Sequence, residues 1–401
     1  MEGIAVSRCL YCDKEKTDSE FSLEHIWPSA LGGALLPPIF KTRSVCVKCN
    51  NSCGLFVDGG FVKSWFLQAE ASINAHEFLD PGKPSPAPFV YFGEEPGMHI
   101  SDDEVCDRWG GLAGDRVYHF HKRDDEKWFG IVGGDIIKRK KLDPGRAYIA
   151  FGSANEYWFT CAALSFRAQF EKAKRCVLNG KPASDIDARI ASIFFPQRDP
   201  NDKQQLLDLK ALDASLHGCS ASTTVSIKLG FDTRFLCKIA LGIGFNILGE
   251  PFKDRAYAGE LRKGLWSKTP DERKGLRIQG SGFLGGGQLT IPDEVKQFMS
   301  IRGTWSLCIW RHDAKLAVHI HSPRRNHMSI VIEENCDGYD QSIINEYKDG
   351  VFYFVSPYRS MVVGPLCLAQ ILAHKLGEVE ATELTKIEQP ITKLEELPPK
   401  R

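Results

Sequence analysis

Residues 8–12 read RCLYC and residues 45–51 read VCVKCNN. Each stretch holds a C-x-x-C, Cys9/Cys12 and Cys46/Cys49, and 33 residues lie between the pairs. A C-x-x-C folds into a knuckle whose two thiolates point at one ion, and two knuckles complete a tetrahedral zinc site. Four thiolates leave no open position for substrate, so this zinc is structural, and its binding free energy folds the segment around it. The staple is expected to bring the front of "EHIWP" (Glu24–Pro28), within "SLEHIWPSALGG" (Ser22–Gly33), next to "CNN" (Cys49–Asn51). The Gly and Pro content of residues 28–38 is incompatible with regular structure there.

The rest of the composition is ordinary for a globular protein. The 401 residues exceed one usual core and imply two or three domains. Apolar residues make up 43% and charged residues 25%, with a formal net charge of zero. A global basic field is thereby excluded, so binding of a polyanion must come from a local patch. No apolar run reaches the roughly 18 residues of a membrane span, which argues against a membrane partner. The first residues show no basic stretch followed by an apolar one, and the thirteen cysteines are odd in number and scattered. A reducing, cytoplasmic location with free thiols follows as the expectation.

Patterning divides the chain into four parts. Residues 1–75 are dense in Cys, Gly and Asn and end in a helix over "GLFVDGGFVKSWFLQAEASINAHEFL". "DPGKPSPAP" (Asp80–Pro88) breaks the pattern, and residues 76–145 form a β-rich connecting segment that includes "RVYHFHKRD". Residues 146–376 read as a larger α+β accessory region. It holds a helix over "EYWFTCAALSFRAQFEKAKRCVL", a further helical stretch "DIDARIASIFF", a strand "TTVSIKLG" and a helix over "DTRFLCKIALGIGFNILGEPF". In the last of these Asp232 can cap the start, and Gly249 and Pro251 close the end. Strands "SLCIWRH", "LAVHIHS", "MSIVIEE" and "VFYFVSPYRSMVVG" precede the helix "LCLAQILAHKL". Residues 377–401 form a charged, loosely ordered tail.

With "CLYC", "LEHIWPSALGG" and "VCVKCNN" on the page, residues 7–60 resemble the HNH endonuclease superfamily in its four-cysteine, zinc-stapled form. The shared pattern is a C-x-x-C, an acidic residue and His followed by an apolar residue and Pro, a Gly pair in a loop, and a C-x-x-C followed at once by Asn. The resemblance implies an α+β fold: an N-terminal ββα-metal finger with a structural zinc held by four cysteines, then a larger mixed α+β region. The strands would be "FSLEHI" and "RSVC", with a helix beginning near Val47. It implies that residues 1–75 are a nuclease domain that hydrolyses phosphodiester bonds of nucleic acid, with double-stranded DNA as the expected substrate. His25 would be the general base toward water, since a neutral imidazole near pH 7 accepts a proton. Glu24 and Asn50 would hold a catalytic Mg²⁺ or Mn²⁺, distinct from the zinc.

Three departures from the family pattern stand out. The middle Asn that orients the His should fall within "KTRS" (Lys41–Ser44), and none is there, so Thr42, Ser44 or a backbone carbonyl takes that role. Glu24 stands where Asp is usual. The Lys that often follows the last Asn is missing from "NNSCGLFVD". Asn51 is a possible additional site residue, and Asp58 either joins the site or caps a turn. Lys41, Arg43 and Lys48 lie where they could touch phosphate. Met1–Trp65 carries seven basic and seven acidic residues, so the finger needs help from elsewhere to hold a polyanion.

Other motifs carry less. "HFH" (His119, His121) and "HIH" (His319, His321) each put two histidines on one face of a strand, and without an acidic or Cys partner nearby in sequence they read as sheet residues. "GSGFLG" (Gly280–Gly285) is followed by "GGQLTIP" rather than a helix, so it reads as a loop between strands. Lys138–Lys141, "FEKAKR" (Lys172–Arg175) and Arg324/Arg325 are basic clusters able to hold a nucleic-acid backbone. Cys53 falls outside the knuckle spacing and is expected to be a buried thiol. The accessory region would sense a signal, bind a partner protein or form a homodimer, and an antiviral defence or mobile-element role fits such an arrangement. Two rival readings are a non-catalytic zinc-stapled nucleic-acid-binding module and a C-terminal ligand sensor that carries the main function.

Overall fold

The computed structural model describes residues 6–80, 82–95, 103–123, 144–179, 202–215, 231–282, 293–324, 326–379 and 381–390. Lys138–Lys141, Arg325, the stretches "DIDARIASIFF" and "TTVSIKLG", the end of "GSGFLG" and the tail beyond residue 390 lie outside the described residues. The chain is α+β, with an N-terminal ββα segment followed by a larger mixed region, as its pattern implies.

The finger begins with a short antiparallel hairpin, Val6–Arg8 against Glu15–Thr17. The first C-x-x-C sits in its turn, where Asp13 adopts φ 55° and donates its N–H to the Cys9 carbonyl. A second hairpin pairs Phe21–His25 with Lys41–Cys46, putting Glu24 opposite Thr42 and His25 opposite Lys41. The loop between these strands is made of three short 3₁₀ turns. Both glycines of "LGG" are required by it. Gly32 takes φ +89°, and a Cβ on Gly33 would collide with the Trp27 carbonyl. The helix Val47–Cys53 follows, as expected, then a π-helical segment Gly54–Asp58 and a last turn Gly59–Val62. The helix pattern of "GLFVDGGFVKSW…" is interrupted at Ser64. Its backbone is extended there, and its hydroxyl caps a separate helix, Trp65–Phe78.

The described residues form two compact units. The first combines residues 6–63, the finger, with the described residues from 231 to 389. Here the long helix Phe231–Leu248 and the helix Ala256–Trp266 pack on the finger and on a six-stranded antiparallel sheet. In spatial order the sheet runs Gly280–Ser281, His327–Glu333, Lys315–His321, Trp305–His312, Val351–Ser356, Met361–Leu366. Trp27 sits edge-on to Phe235 of the long helix and to Trp305 of the sheet, at 5.7 and 5.3 Å between ring centroids. Phe61 stacks on Phe235 at 3.7 Å. Gly242 lets the helix approach, since a Cβ there would lie 2.5 Å from Ile26 Cγ1.

The second unit holds the described residues from 64 to 215. Its five strands run in spatial order Val90–Glu94, Glu104–Gly110, Arg116–Lys122, Arg146–Ala150 and Lys174–Val177. The first four are antiparallel, and the last pairs parallel with its neighbour through the crossover helix Glu156–Gln169. One face packs Trp109, Val117 and Ile149 on that helix, and the other packs Tyr118, Phe120 and Tyr148 on Leu209 of the helix Asp202–Ser215. The helical reading of "EYWFTCAALSFRAQFEKAKRCVL" is therefore half right. The helix ends at Gln169, and Lys174–Val177 becomes an edge strand because the neighbouring strand supplies its backbone partners.

Candidate active site

The Sγ atoms of Cys9, Cys12, Cys46 and Cys49 all lie within 4.8 Å of one another. Tetrahedral zinc, with bonds of about 2.3 Å, needs sulfur–sulfur spacings of about 3.8 Å, so four thiolates gathered this closely fit that ion. Two backbone devices hold the knuckles together: the Leu10 N–H donates to the Ser44 carbonyl, and the Cys46 N–H to Cys9 Sγ at 3.3 Å. A hydrogen bond from the Cys49 thiol, opposed by burial and helped by the Cys46 N–H, holds the Cys9 thiol down at about 4. A thiol that ionises this readily suits a metal ligand. Cys53 is buried outside the cluster, and burial pushes its thiol up. The described cysteines form no disulfides.

The knuckle is also clamped from residues 231–266. Arg262 Nε donates to the Leu10 carbonyl at 2.9 Å, Trp266 Nε1 to the Tyr11 carbonyl at 2.8 Å and Lys253 Nζ to the Arg8 carbonyl at 3.0 Å. On the other side, Asn246 Nδ2 reaches three carbonyls of the loop, those of Pro38, Ile39 and Lys41. Loop carbonyls that would otherwise be buried unpaired are satisfied by side chains from a distant helix.

Glu24 and His25 are consecutive on an extended strand, so their side chains point to opposite faces. Glu24, with Thr42 opposite, is on the buried face and only 2% exposed. His25, with Lys41 opposite, is on the half-exposed face. Among the described residues no group hydrogen-bonds to the His25 imidazole; Thr42 Oγ1 instead accepts from the Ser44 N–H. Partial burial, aided by the positive charges of Lys41 and Lys238, lowers the pKa of His25. The imidazole is neutral at pH 7 and able to take a proton.

The buried face carries a feature that motif reading did not find. Lys238, 0% exposed, donates to Glu24 Oε1 and to Asp58 Oδ2, both at 2.7 Å. It also donates to the carbonyls of His25 and Ile26, at 3.0 and 3.2 Å. Tyr11 OH adds a 3.4 Å hydrogen bond to Glu24. Burial works against the Lys238 ammonium, but Asp58 and Glu24 outweigh it and its pKa rises. For both carboxyls burial outweighs the nearby ammonium, so each stands above the usual carboxylate value. The available signal was a single Lys in the apolar run "FLCKIALGIGF", because a charge in a buried helix needs a partner. Its partners lie 180 or more residues away, and motif spacing carries no such information.

Asn50 Nδ2 donates to Ser22 Oγ and to the Leu23 carbonyl, both at 2.9 Å, which ties the finger helix to the strand that ends in His25. Asn51, Arg43 and Lys48 are exposed, and Lys41 Nζ donates to the Ala34 carbonyl at 2.9 Å. The structure thus joins Glu24, Asp58, Tyr11 and Lys238 in one buried cluster and keeps His25 and Lys41 on the facing surface. For a hard divalent ion, the oxygen donors the structure gathers are the carboxylates of Glu24 and Asp58, whereas Asn50 is engaged with Ser22 and Leu23. Asp58 Oδ1 is shielded from solvent and takes no hydrogen bond, and the two carboxylates outnumber their one ammonium, which is donor chemistry such an ion accepts.

A strand–loop–strand–helix closed by two thiol knuckles, with an acid–His pair at the end of the first strand, defines a zinc-stapled ββα finger. Comparison with protein families places that finger more closely: residues 9–66 match the HNH endonuclease family. The match supports a nuclease-type hydrolase acting on nucleic acid. No curated protein and no solved structure matches the chain significantly. Among the described residues no helix is long and apolar enough to cross a membrane.

Proposed function

We propose that the finger hydrolyses phosphodiester bonds of double-stranded DNA, with His25 as general base. The observation that carries this reading is the placement of His25: it is half-exposed and neutral, and its strand end is held rigidly by Lys238 on the His25 and Ile26 carbonyls. Base catalysis needs an unprotonated imidazole that water can reach. Lys41, Arg43 and Lys48 supply positive charge for the backbone phosphates. When bound, a Mg²⁺ or Mn²⁺ ion at the Glu24 and Asp58 carboxylates would supply positive charge on the buried side of the strand whose other face carries His25. The structural zinc holds the two strands and the helix in register.

One observation favours a second reading, a non-catalytic nucleic-acid-binding module: Lys238 already neutralises Glu24. Supercoiled plasmid incubated with the full chain and Mg²⁺ or Mn²⁺, beside His25→Ala, separates the two. The catalytic reading expects nicked or linear product from wild type and none from the variant. Equal cleavage by both removes His25 as the base, and binding without cleavage at any divalent ion supports the binding module instead.

A further inference from the structure

His119 and His121 lie on one face of the strand Arg116–Lys122, with ring centroids 4.9 Å apart. The acidic partner that sequence did not place comes from the neighbouring strand. Asp107, in Glu104–Gly110, is directly opposite His119 in the antiparallel register. One ligand atom from each of the three residues lies within 4.8 Å of the others. Asp107 is 2% and His121 4% exposed, so the cluster is enclosed, with His119 at its more open side.

The hydrogen bonds around the rings decide what the cluster does. His119 Nε2 is 2.9 Å from the Pro144 carbonyl, and His121 Nδ1 is 2.7 Å from the Lys122 carbonyl. A carbonyl only accepts, so each of these nitrogens carries the ring proton, and the lone pairs fall on His119 Nδ1 and His121 Nε2. Yet His121 Nε2 lies 2.8 Å from Asp107 Oδ2, another acceptor. Two lone pairs that close need a cation between or beside them. Pinning of the outer ring nitrogen by a backbone carbonyl is the arrangement that orients imidazoles toward a metal.

We propose that Asp107, His119 and His121 form a second metal site for a divalent transition ion of the Zn²⁺ class, chemically distinct from the all-thiolate finger site. Two imidazoles and one carboxylate suit such an ion, and the three ligands found among the described residues leave at least one coordination position for a further donor. The ion cross-links two central strands of the second unit and, through His119, the Pro144 carbonyl before the fourth strand.

The test is metal content of the full chain, purified from zinc-supplemented medium and dialysed against metal-free buffer, measured by plasma mass spectrometry. Asp107→Asn, His119→Gln and His25→Ala are compared with wild type. Two zinc ions per chain are expected in wild type and His25→Ala, falling to one in Asp107→Asn and His119→Gln. Cobalt substitution gives a second readout: the wild-type minus His119→Gln difference spectrum should show weak ligand-field bands without thiolate charge transfer. One zinc in wild type means that an extra proton, not a metal, joins His121 to Asp107, and overturns the proposal. Two zinc ions kept in both variants, or a second ion lost only in His25→Ala, also overturns it.

Discussion

Replacing Lys238 with Met tests the link between the finger and the long helix. The side chain is fully buried and contacts two carboxylates at 2.7 Å and two carbonyls. Met fills similar volume but leaves Glu24 and Asp58 buried without a counter-charge. Removing one partner of a buried ion pair costs about 3–5 kcal/mol. For a folding unit of this size that is roughly 6–20 °C in Tm, at about 2–4 °C per kcal/mol. The loss also has a pH signature. The folded-state pKa values of both carboxyls are raised, so their contribution to stability is full below about pH 4 and declines as pH rises through the folded values. Without Lys238 those values rise further. The gap between wild type and Lys238→Met should therefore be small near pH 4 and widen toward pH 8. Lys238 itself, with its pKa raised, supports folding below about pH 10 and loses that effect above its folded value. Tryptophan fluorescence during thermal or urea unfolding reports it, because Trp27 packs between Phe235 and Trp305. A Tm within about 2 °C of wild type at pH 8, or a gap that narrows with rising pH, would refute the reasoning.

Four further outcomes follow. In a plasmid-nicking assay the acid limb of the rate profile should lie below pH 6.5, because the His25 pKa is lowered; a limb centred above 7 contradicts His25 as the base. Cys46→Ser should release the finger zinc and lower Tm, whereas a metal content equal to wild type would remove the thiolate frame. Asn246→Ala strips one donor from three loop carbonyls and should cost about 1–3 kcal/mol in urea unfolding, with near-neutrality refuting the clamp. Gly242→Val drives a side chain into Ile26 and should cost about 1–3 kcal/mol or more, while an unchanged Tm would show that the helix moves away freely.

The division between what was legible and what was not follows the range of each interaction. Two C-x-x-C pairs are local, so their ligand geometry is written into four residues and they announced the staple, while the two strands and the helix start near Val47 came from the family resemblance. "LGG" is legible for the same reason: positive φ and a close carbonyl require Gly wherever the loop goes. The long helix Phe231–Leu248 was readable from its apolar period and from Gly249, which takes φ +73° at its end. "EKAKRCVL" was misread because a parallel strand partner, not local propensity, decides the edge strand Lys174–Val177.

By itself the sequence determined the zinc frame and the presence of His25 beside Glu24. Only the tertiary structure decided which way each side chain faces and what holds it. A strand alternates its faces, so two adjacent residues that look like one catalytic pair are separated: Glu24 goes into a buried ion cluster and His25 to the surface. The ammonium in that cluster comes from Lys238, and the carboxylate beside "HFH" comes from the paired strand through Asp107. In each case the partner is chosen by packing. A buried charge must be matched by whatever group the fold brings within about 3 Å, at any distance along the chain.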